Sequence, residues 1–234
     1  MDNGTAIKFN WHRFWTKATG IRRQSAHVGQ FGNPDLLGRF FEETGMPDDF
    51  AAFGCGPADG PWELASRYPD LSVFGYDIAE SAIETAKTSA DAPELSNVSF
   101  AVDSPKPLDR SFDIVYCYAT LHYIEEIETP IQALYDRTRA DGYLIFNYPN
   151  RYTLAVNRRI LRGDADRPLP LEPADCRDRF AHVFEEANLH TYDHIEEILG
   201  TRPRRFWSRV KAQTNHGLVA TIPAYILHAD RHFP

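Results

Sequence analysis

Residues 51–80, "AAFGCGPADGPWELASRYPDLSVFGYDIAE", place a glycine-rich turn after one short apolar run and an aspartate at the end of a second. The glycines Gly54, Gly56 and Gly60 allow a sharp turn and let a ligand approach the backbone, because no Cβ stands in the way. The intervening stretch 59–69 has the pattern of a helix. The order strand, glycine turn, helix, strand is typical of a parallel sheet covered by helices.

The same stretch predicts a ligand that carries an anionic group and a ribose. Ligands of open parallel sheets bind beyond the carboxyl ends of the strands, and free N–H groups at a helix N-terminus attract a carboxylate or phosphate. Asp77 follows Gly54 by 23 residues, where its carboxylate can accept hydrogen bonds from both ribose hydroxyls. The dinucleotide pattern G-x-G-x-x-G has Asp59 at its third glycine, which counts against NAD.

Strand-like and helix-like segments continue to alternate along the chain. Further strands are predicted in "NVSFAVD" (97–103), "SFDIVYCYATL" (111–121), "GYLIFNY" (142–148), "HTYDHIEEI" (190–198) and "ATIPAYILHA" (220–229). The predicted fold is α/β: a doubly wound, mostly parallel seven-stranded sheet with helices on both faces and an antiparallel last strand. We expect an aromatic and basic cap segment at 1–34 and one domain at 35–234, with inserts at about 163–175 and 200–217.

Composition and charge narrow the class of protein. With 234 residues, 43% of them hydrophobic, the chain can bury one sizeable core. Its net charge of −8 disfavours general nucleic-acid binding, although residues 1–34 and 201–229 are basic. No apolar run approaches the roughly 20 residues of a membrane span, and we expect a cytoplasmic protein without a secretion signal. Three cysteines without disulfide or metal-site spacing agree with a reducing compartment.

Several blocks, in order, resemble the class I S-adenosylmethionine-dependent methyltransferases. "FGCGPADG" resembles the cofactor loop of that family, and "GYDIAESAIETAK" resembles its ribose-binding turn and the helix that follows. "NVSFAVDS" resembles the end of strand three, which meets adenine. "FDIVYCYATLHYI" and "GYLIFNYPN" resemble strands four and five. The resemblance covers residues 35–150 and implies methyl transfer from S-adenosylmethionine.

By position, the resemblance implies a set of cofactor-binding residues. Asp77 would bind the ribose, Ile78 would cover the adenine ring, and Asp103 would accept a hydrogen bond from the adenine amino group. The methionyl end would meet the glycine turn and the end of strand four. The full set is Phe53, Gly54, Cys55, Gly56, Asp77, Ile78, Asp103, Ser104, Tyr118 and Ala119. The alternative is that these aspartates cap turns and that Ile78 and Tyr118 belong to the core.

One position departs from the family pattern. An acidic residue is usual two positions before the first glycine of the turn, and this chain has Ala52 there. Cofactor affinity would fall unless Asp59 or a water substitutes. This departure keeps open a second hypothesis, a catalytically inactive cofactor-binding module that supports a partner.

Methyl transfer is an in-line displacement, so the protein must chiefly align the acceptor and exclude water. His122, just beyond strand four, is the candidate general base for a hydroxyl or amine acceptor, and Tyr123 and Tyr148 are candidates for lining the site. Trp11, Phe14, Trp15 and Phe31 alternate with basic residues in the cap segment and suit a planar or anionic acceptor.

No metal site is predicted. His190 and His194, like His228 and His232, have i, i+4 spacing, but both pairs fall in a predicted strand or at the terminus without a convincing third ligand. The stretch after strand four also lacks the Asn/Asp-Pro-Pro-aromatic pattern of adenine-modifying enzymes. We therefore expect a small-molecule acceptor, of which an anionic molecule is one possible kind, and no nucleic-acid or membrane partner. An NAD-dependent oxidoreductase remains a third hypothesis, and the oligomeric state is open.

Overall fold

A parallel sheet of five strands forms the centre of the protein. The computed structural model describes residues 9–17, 33–88, 95–103, 110–163, 173–210 and 224–227. The five strands lie in the order β3-β2-β1-β4-β5, and each neighbouring pair is parallel. Their bounds are β1 Asp49–Phe53, β2 Ser72–Asp77, β3 Val98–Val102, β4 Phe112–Cys117 and β5 Thr138–Phe146.

Two short strands extend this sheet beyond β5. Strand β7 (Ala224–Leu227) pairs antiparallel with β5, and β6 (Arg204–Arg205) pairs antiparallel with β7. Helices and one 3₁₀ turn at Leu121–Tyr123 connect the strands. The helices are α1 Trp11–Lys17, α2 Asn33–Thr44, α3 Asp59–Arg67, α4 Glu80–Thr88, α5 Glu128–Asp136, α6 Arg151–Arg162, α7 Pro173–Arg179, α8 Ala181–Phe184, α9 Tyr192–Leu199 and α10 Phe206–Arg209.

The central strand β1 is buried on both faces. Because side chains alternate along a strand, Phe50 and Ala52 join an apolar cluster with α2, α3 and α4, whereas Ala51 and Phe53 join a second cluster with α5 and α9. Burial on both faces is what a parallel sheet flanked by helices requires. This architecture confirms the α/β fold predicted from the alternating segments.

The chain order reverses between β1 and β4. Strands β2 and β3 lie on one side of β1, and β4 and β5 lie on the other. The crevice at the carboxyl ends of β1 and β4 is therefore the topological switch point, where open sheets of this kind bind ligands.

The predicted strand at 190–198 is wrong, because this segment forms helix α9. The Thr191 hydroxyl accepts a hydrogen bond from the His194 N–H and so caps the helix, and Gly200, at φ 67°, ends it. Ile195 and Leu199 are buried one helical turn apart. The short alternation of polar and apolar residues misled the prediction, since the cap and the terminal glycine decide the structure.

Other segments differ in detail from the predictions. Helix α5 begins at Glu128 and has Pro130 in its first turn, where the missing N–H of a proline is tolerated. Phe206 and Trp207, within the predicted insert at 200–217, are buried against the sheet. Residues 164–172 of the other predicted insert lie outside the described ranges. Within those ranges, every helix is too short or too polar to cross a bilayer.

Candidate cofactor and acceptor site

The glycine turn after β1 is shaped by two residues with positive φ. Gly54 has φ 71° and Gly56 has φ 56°, in the left-handed region that favours glycine. The Gly54 N–H donates to the Tyr76 carbonyl over 2.8 Å. A Cβ on Gly54 would clash with the Thr120 hydroxyl, and one on Gly56 would lie 3.1 Å from Cζ2 of Trp15. The turn therefore leaves no room for side chains at these two positions.

Asp77, at the end of β2, ties this turn to the beginning of α4. Its Oδ2 accepts from the Gly56 N–H and its Oδ1 from the Ala79 N–H, each over 2.8 Å. Burial raises the pKa of Asp77, while these backbone donors partly offset the rise. A carboxylate oxygen has a second lone pair, so both oxygens keep the capacity to accept from a ligand hydroxyl. The predicted turn-capping role and the predicted ribose role are thus compatible.

Two aliphatic side chains are exposed beside Asp77. Ile78 is 45% exposed and Val102 is 51% exposed, although both are large and apolar. Val102 is the last residue of β3 and is opposite Asp77, the last residue of β2, and Ile78 follows Asp77. The adjacent Asp103 donates its N–H to the Asp77 carbonyl over 3.0 Å. Sequence analysis singled out Ile78 and Asp103 but missed Val102, whose place next to Asp103 was the available signal.

A buried arginine lies beneath Asp103. The Arg137 side chain is 1% exposed, and its Nη2 lies 3.5 Å from Oδ2 of Asp103. Its guanidinium also lies over the Phe53 ring, 4.7 Å from the centroid. Burial lowers the pKa of Arg137, and the Asp103 carboxylate opposes that change. The ion pair fixes the direction of one Asp103 oxygen at the end of β3.

The end of β4 forms the other wall of the crevice. Ala119 has φ 54°, an uncommon conformation for a residue with a side chain, and its N–H donates to Oδ1 of Asn147 over 2.7 Å. The Thr120 hydroxyl donates to the Tyr118 carbonyl over 3.2 Å and packs on Gly54. Thr120 and Asn147 were not singled out from the sequence. Their signal was a polar residue within three residues of the ends of strands four and five.

The remaining predicted cofactor residues are mostly buried. Phe53 stacks on Tyr76 at 4.9 Å between centroids, and Tyr118 stacks on Tyr116 at 6.0 Å. Phe53 therefore offers its backbone to the crevice rather than its ring. Burial raises the pKa of the Cys55 thiol well above its usual value, so the thiol stays protonated at neutral pH. Ser104 lies outside the described residues.

Ala52 lies in the middle of the sheet and is 3% exposed. In the register it is opposite Gly75 on β2 and Tyr116 on β4. A carboxylate at this position would need a partner in an apolar setting. In this chain Asp77 orders the glycine turn through the Gly56 N–H.

Helix α1 lies over the glycine turn and α4. The Ser81 hydroxyl donates to the His12 carbonyl over 2.9 Å, and Trp15 covers Gly56. An aromatic cluster extends from α1 across the 3₁₀ turn to α7, and we call it the aromatic cap; its members are Phe9, Trp11, Phe14, Trp15, Tyr123 and Phe180. Phe31, which was predicted to contribute, lies outside the described residues.

A buried cation accompanies the aromatic cap. Arg179, at the end of α7, is 2% exposed, and its guanidinium lies 4.4 Å from the centroid of the Phe14 ring. The rings of Trp11 and Tyr123 lie beside it, tilted by 56° with their centroids 4.5 Å apart. Arg179 was not singled out from the sequence, because only the fold brings α7 against α1.

His122 is buried beside this cap. It is 1% exposed, and among the described residues neither ring nitrogen has a hydrogen-bond partner. Its ring meets Phe180 edge to face at 6.4 Å, and burial lowers its pKa to about 3. The imidazole is therefore neutral at pH 7 but is a weak base. Tyr148 is also buried, and burial raises its pKa.

Comparisons with known proteins identify the family of this chain. The model of a methyltransferase-domain family matches residues 52–196. A trans-aconitate 2-methyltransferase of Delftia acidovorans is 28% identical over 115 residues, which cover 49% of this chain and 42% of that protein. A malonyl-[acyl-carrier protein] O-methyltransferase of Bacillus anthracis is 27% identical, over 40% of this chain and 35% of that protein. The chain spans about two fifths of the length of these curated relatives.

A solved structure has the same fold along nearly the whole chain. It is a magnesium protoporphyrin IX methyltransferase from Synechocystis PCC 6803 with bound SAH, with a TM-score of 0.63 at 18% identity. The match covers 94% of this chain and 93% of that one. The protein belongs to the methyltransferase-domain family, within the class I S-adenosylmethionine-dependent methyltransferases. The resemblance found in the sequence is confirmed, and the comparisons do not favour the oxidoreductase or the inactive module.

Proposed function

We propose that this protein transfers a methyl group from S-adenosylmethionine to a small molecule at a carboxylate oxygen. The observation that carries the cofactor half of the proposal is the hydrogen bond from the Gly56 N–H to Asp77, which holds the glycine turn and a buried carboxylate side by side at the switch point. When bound, S-adenosylmethionine supplies a sulfonium methyl group that is open to in-line displacement. The relative's bound SAH supports the same choice of cofactor.

The residues at the crevice suit the parts of this cofactor. Asp77 would accept hydrogen bonds from the ribose hydroxyls. Ile78 and Val102 would cover the two faces of the adenine ring. Asp103 would accept a hydrogen bond from the adenine amino group. The methionyl end would meet the turn and the end of β4. The residues proposed there are Phe53, Gly54, Cys55, Gly56, Tyr118 and Ala119, with Ser104 near the adenine.

The acceptor side suits a carboxylate. The two curated relatives act on trans-aconitate and on malonyl-[acyl-carrier protein], as their names state. Arg179 provides a buried positive charge beside the aromatic cap, which favours an acid with an apolar or planar body. A carboxylate is already ionised at pH 7 and is itself the nucleophile, so alignment and water exclusion are the protein's main tasks.

His122 was predicted as the general base, and that role depends on the acceptor. A hydroxyl or an amine would need a base, whereas a carboxylate would not. The pKa of about 3 at His122 supports the second case, because such an imidazole attracts a proton only weakly at pH 7. Tyr123 of the aromatic cap would line the acceptor side, and the proposed methyl transfer uses no metal.

The proposal includes the organisation of the chain. Residues 1–34 would form the cap and residues 35–234 the methyltransferase domain, with inserts near 163–175 and 200–217. The packing of α1 over Gly56 supports the cap, and the antiparallel pairing of β7 with β5 supports a seven-stranded sheet. Three free buried thiols, Cys55, Cys117 and Cys176, agree with a reducing cytoplasmic setting. We propose no nucleic-acid or membrane partner.

Two measurements on the full chain test this function. Calorimetric titration with S-adenosylhomocysteine should give micromolar binding that Asp77→Ala weakens, whereas NAD should not bind. Turnover is then measured by formation of S-adenosylhomocysteine with a panel of small di- and tricarboxylic acids and matched neutral esters. Methylation of acids only is the expected result. Binding without turnover on any acceptor would favour the inactive module, and no binding would refute the cofactor assignment.

A further inference from the structure

Helix α9 brings two histidines and a glutamate together away from the cofactor crevice. His190 precedes the helix, His194 is in its first turn, and Glu128 is the first residue of α5. One potential ligand atom from each of the three side chains lies within 4.8 Å of the other two. The histidines had been set aside at the sequence level because their segment was predicted as a strand. The helix begins between the two histidines and brings their rings together, and α5 supplies the third ligand.

The three side chains are close enough to share an ion after rotation about their side-chain bonds. Nδ1 of His190 lies 2.7 Å from Nδ1 of His194, and Nε2 of His194 lies 3.7 Å from Oε1 of Glu128. Ligand atoms of a tetrahedral zinc ion are about 3.3 Å apart, given bonds of roughly 2.0–2.1 Å. The two imidazole rings lie 4.8 Å apart at 28°. The 2.7 Å and 3.7 Å separations involve different nitrogens of His194, and an imidazole gives only one nitrogen to an ion. With one ligand atom taken from each side chain, the three atoms lie within 4.8 Å of one another, so the side chains must rotate to close the set to about 3.3 Å.

The surroundings of His190 suit a metal ligand. His190 is 8% exposed, and its Nε2 has no hydrogen-bond partner among the described residues. Its backbone N–H donates to the Pro149 carbonyl over 3.0 Å, which fixes the residue just beyond β5.

We propose that Glu128, His190 and His194 form a binding site for a zinc-class divalent transition-metal ion. Two imidazoles and one carboxylate are ligands that suit such an ion, and water can occupy the fourth position. His194 and Glu128 are about two fifths and one half exposed, so the ion can reach the site from solvent. The ion would join the segment before α9 to the N-terminus of α5. The proposal is independent of the methyl-transfer assignment.

Cobalt(II) titration of the metal-free full chain tests the site, because tetrahedral cobalt with nitrogen ligands absorbs visible light. We expect saturation at one ion per chain and displacement by zinc. His194→Ala and Glu128→Gln should each weaken binding at least about tenfold, since even outer-shell partners are worth 10–100-fold. Glu197→Gln is the matched control, because Glu197 is an exposed acid on the same helix; it should bind cobalt like the unchanged protein.

Zinc should also raise the melting temperature of the unchanged protein and of Glu197→Gln, but not that of His194→Ala. Circular dichroism without metal checks that each variant is folded, and Glu128→Gln carries the test if His194→Ala is not. Cobalt binding that persists equally in both ligand variants would place the ion on other histidines and overturn the proposal. Absence of saturable binding would overturn it as well, leaving only a hydrogen-bonded histidine pair.

Discussion

The two sides of the crevice are built from different kinds of contact. On the β1–β2 side, backbone N–H groups, two glycines and Asp77 form a compact unit from residues close in sequence. On the β4 side, the aromatic cap, His122 and Arg179 come together from segments far apart in the chain. A cofactor shared by a whole family suits the first construction, and an acceptor that differs between relatives suits the second.

Gly54→Ala should have the largest effect on cofactor affinity, because it alters the glycine turn itself. A side chain at φ 71° is strained by roughly 1–2 kcal/mol, and its Cβ would also clash with Thr120. We expect S-adenosylhomocysteine affinity to fall at least about 100-fold in calorimetry. Gly163→Ala is the matched control, since Gly163 has φ 72° but meets no described atom within 4 Å.

The control separates strain from steric fit. If both alanine variants lose stability equally and only Gly54→Ala loses affinity, the clash at the turn is responsible. Equal affinities in the two variants would show that the turn does not contact the cofactor.

Asp77→Asn should have the next largest effect. It keeps the size of the side chain but removes the charge that accepts from Gly56, Ala79 and the ribose, and such bonds are worth about 1–3 kcal/mol. We expect a roughly 5- to 150-fold weaker affinity. Asp49→Asn is the control, because Asp49 is also 7% exposed but lies at the opposite end of the sheet.

The pH dependence sharpens this prediction. The pKa of Asp77 is raised by burial, so its carboxylate gains a proton as the pH falls through that raised value. Cofactor affinity of the unchanged protein should therefore begin to fall at a higher pH than for an ordinary aspartate. Asp77→Asn should lack this step, and a step that persists in the variant would assign it to another group.

The β1–β2 side of the crevice could be predicted from the sequence because its contacts are made by residues that lie close together in the chain. Gly54, Gly56 and Asp77 follow strands whose apolar pattern is clear, and a parallel sheet places strand ends together. Val102, Thr120 and Asn147 were accessible in principle, since each is at or just beyond the end of a predicted strand. Arg179 was not accessible, because only packing of α7 on α1 brings it near the crevice. Helix α9 was mistaken for a strand because eight residues contain too few turns to establish a period.

Arg179→Gln tests the acceptor side and should change kinetics rather than cofactor binding. Loss of a charged hydrogen bond to a carboxylate is worth about 1.5–3 kcal/mol, so KM for an acidic acceptor should rise roughly tenfold or more. Affinity for S-adenosylhomocysteine should stay within about twofold. Arg177→Gln, an exposed arginine on the same helix, is the control and should leave both quantities unchanged.

A neutral acceptor distinguishes charge recognition from packing. Arg179 lies on the Phe14 ring, so its replacement also disturbs the aromatic cap. An equal rise in KM for acids and for their neutral esters would mean that Arg179 supports the cap without binding a carboxylate.

His122→Phe should have the smallest effect on turnover, and it separates the two sides most sharply. The imidazole has a pKa of about 3, so it stays neutral between pH 5 and 8 and cannot produce a step in kcat/KM there.

In the unfolded chain the His122 ring has a pKa of about 6.5, so acid favours unfolding. The stabilising contribution is present above pH 6.5 and is lost as the pH falls toward 3. Between pH 8 and pH 5 the free energy of unfolding should fall by about 2 kcal/mol more in the unchanged protein than in His122→Phe, as urea unfolding at the two pH values can measure. A large loss of turnover in a folded His122→Phe would instead restore the general base and point to a hydroxyl or amine acceptor.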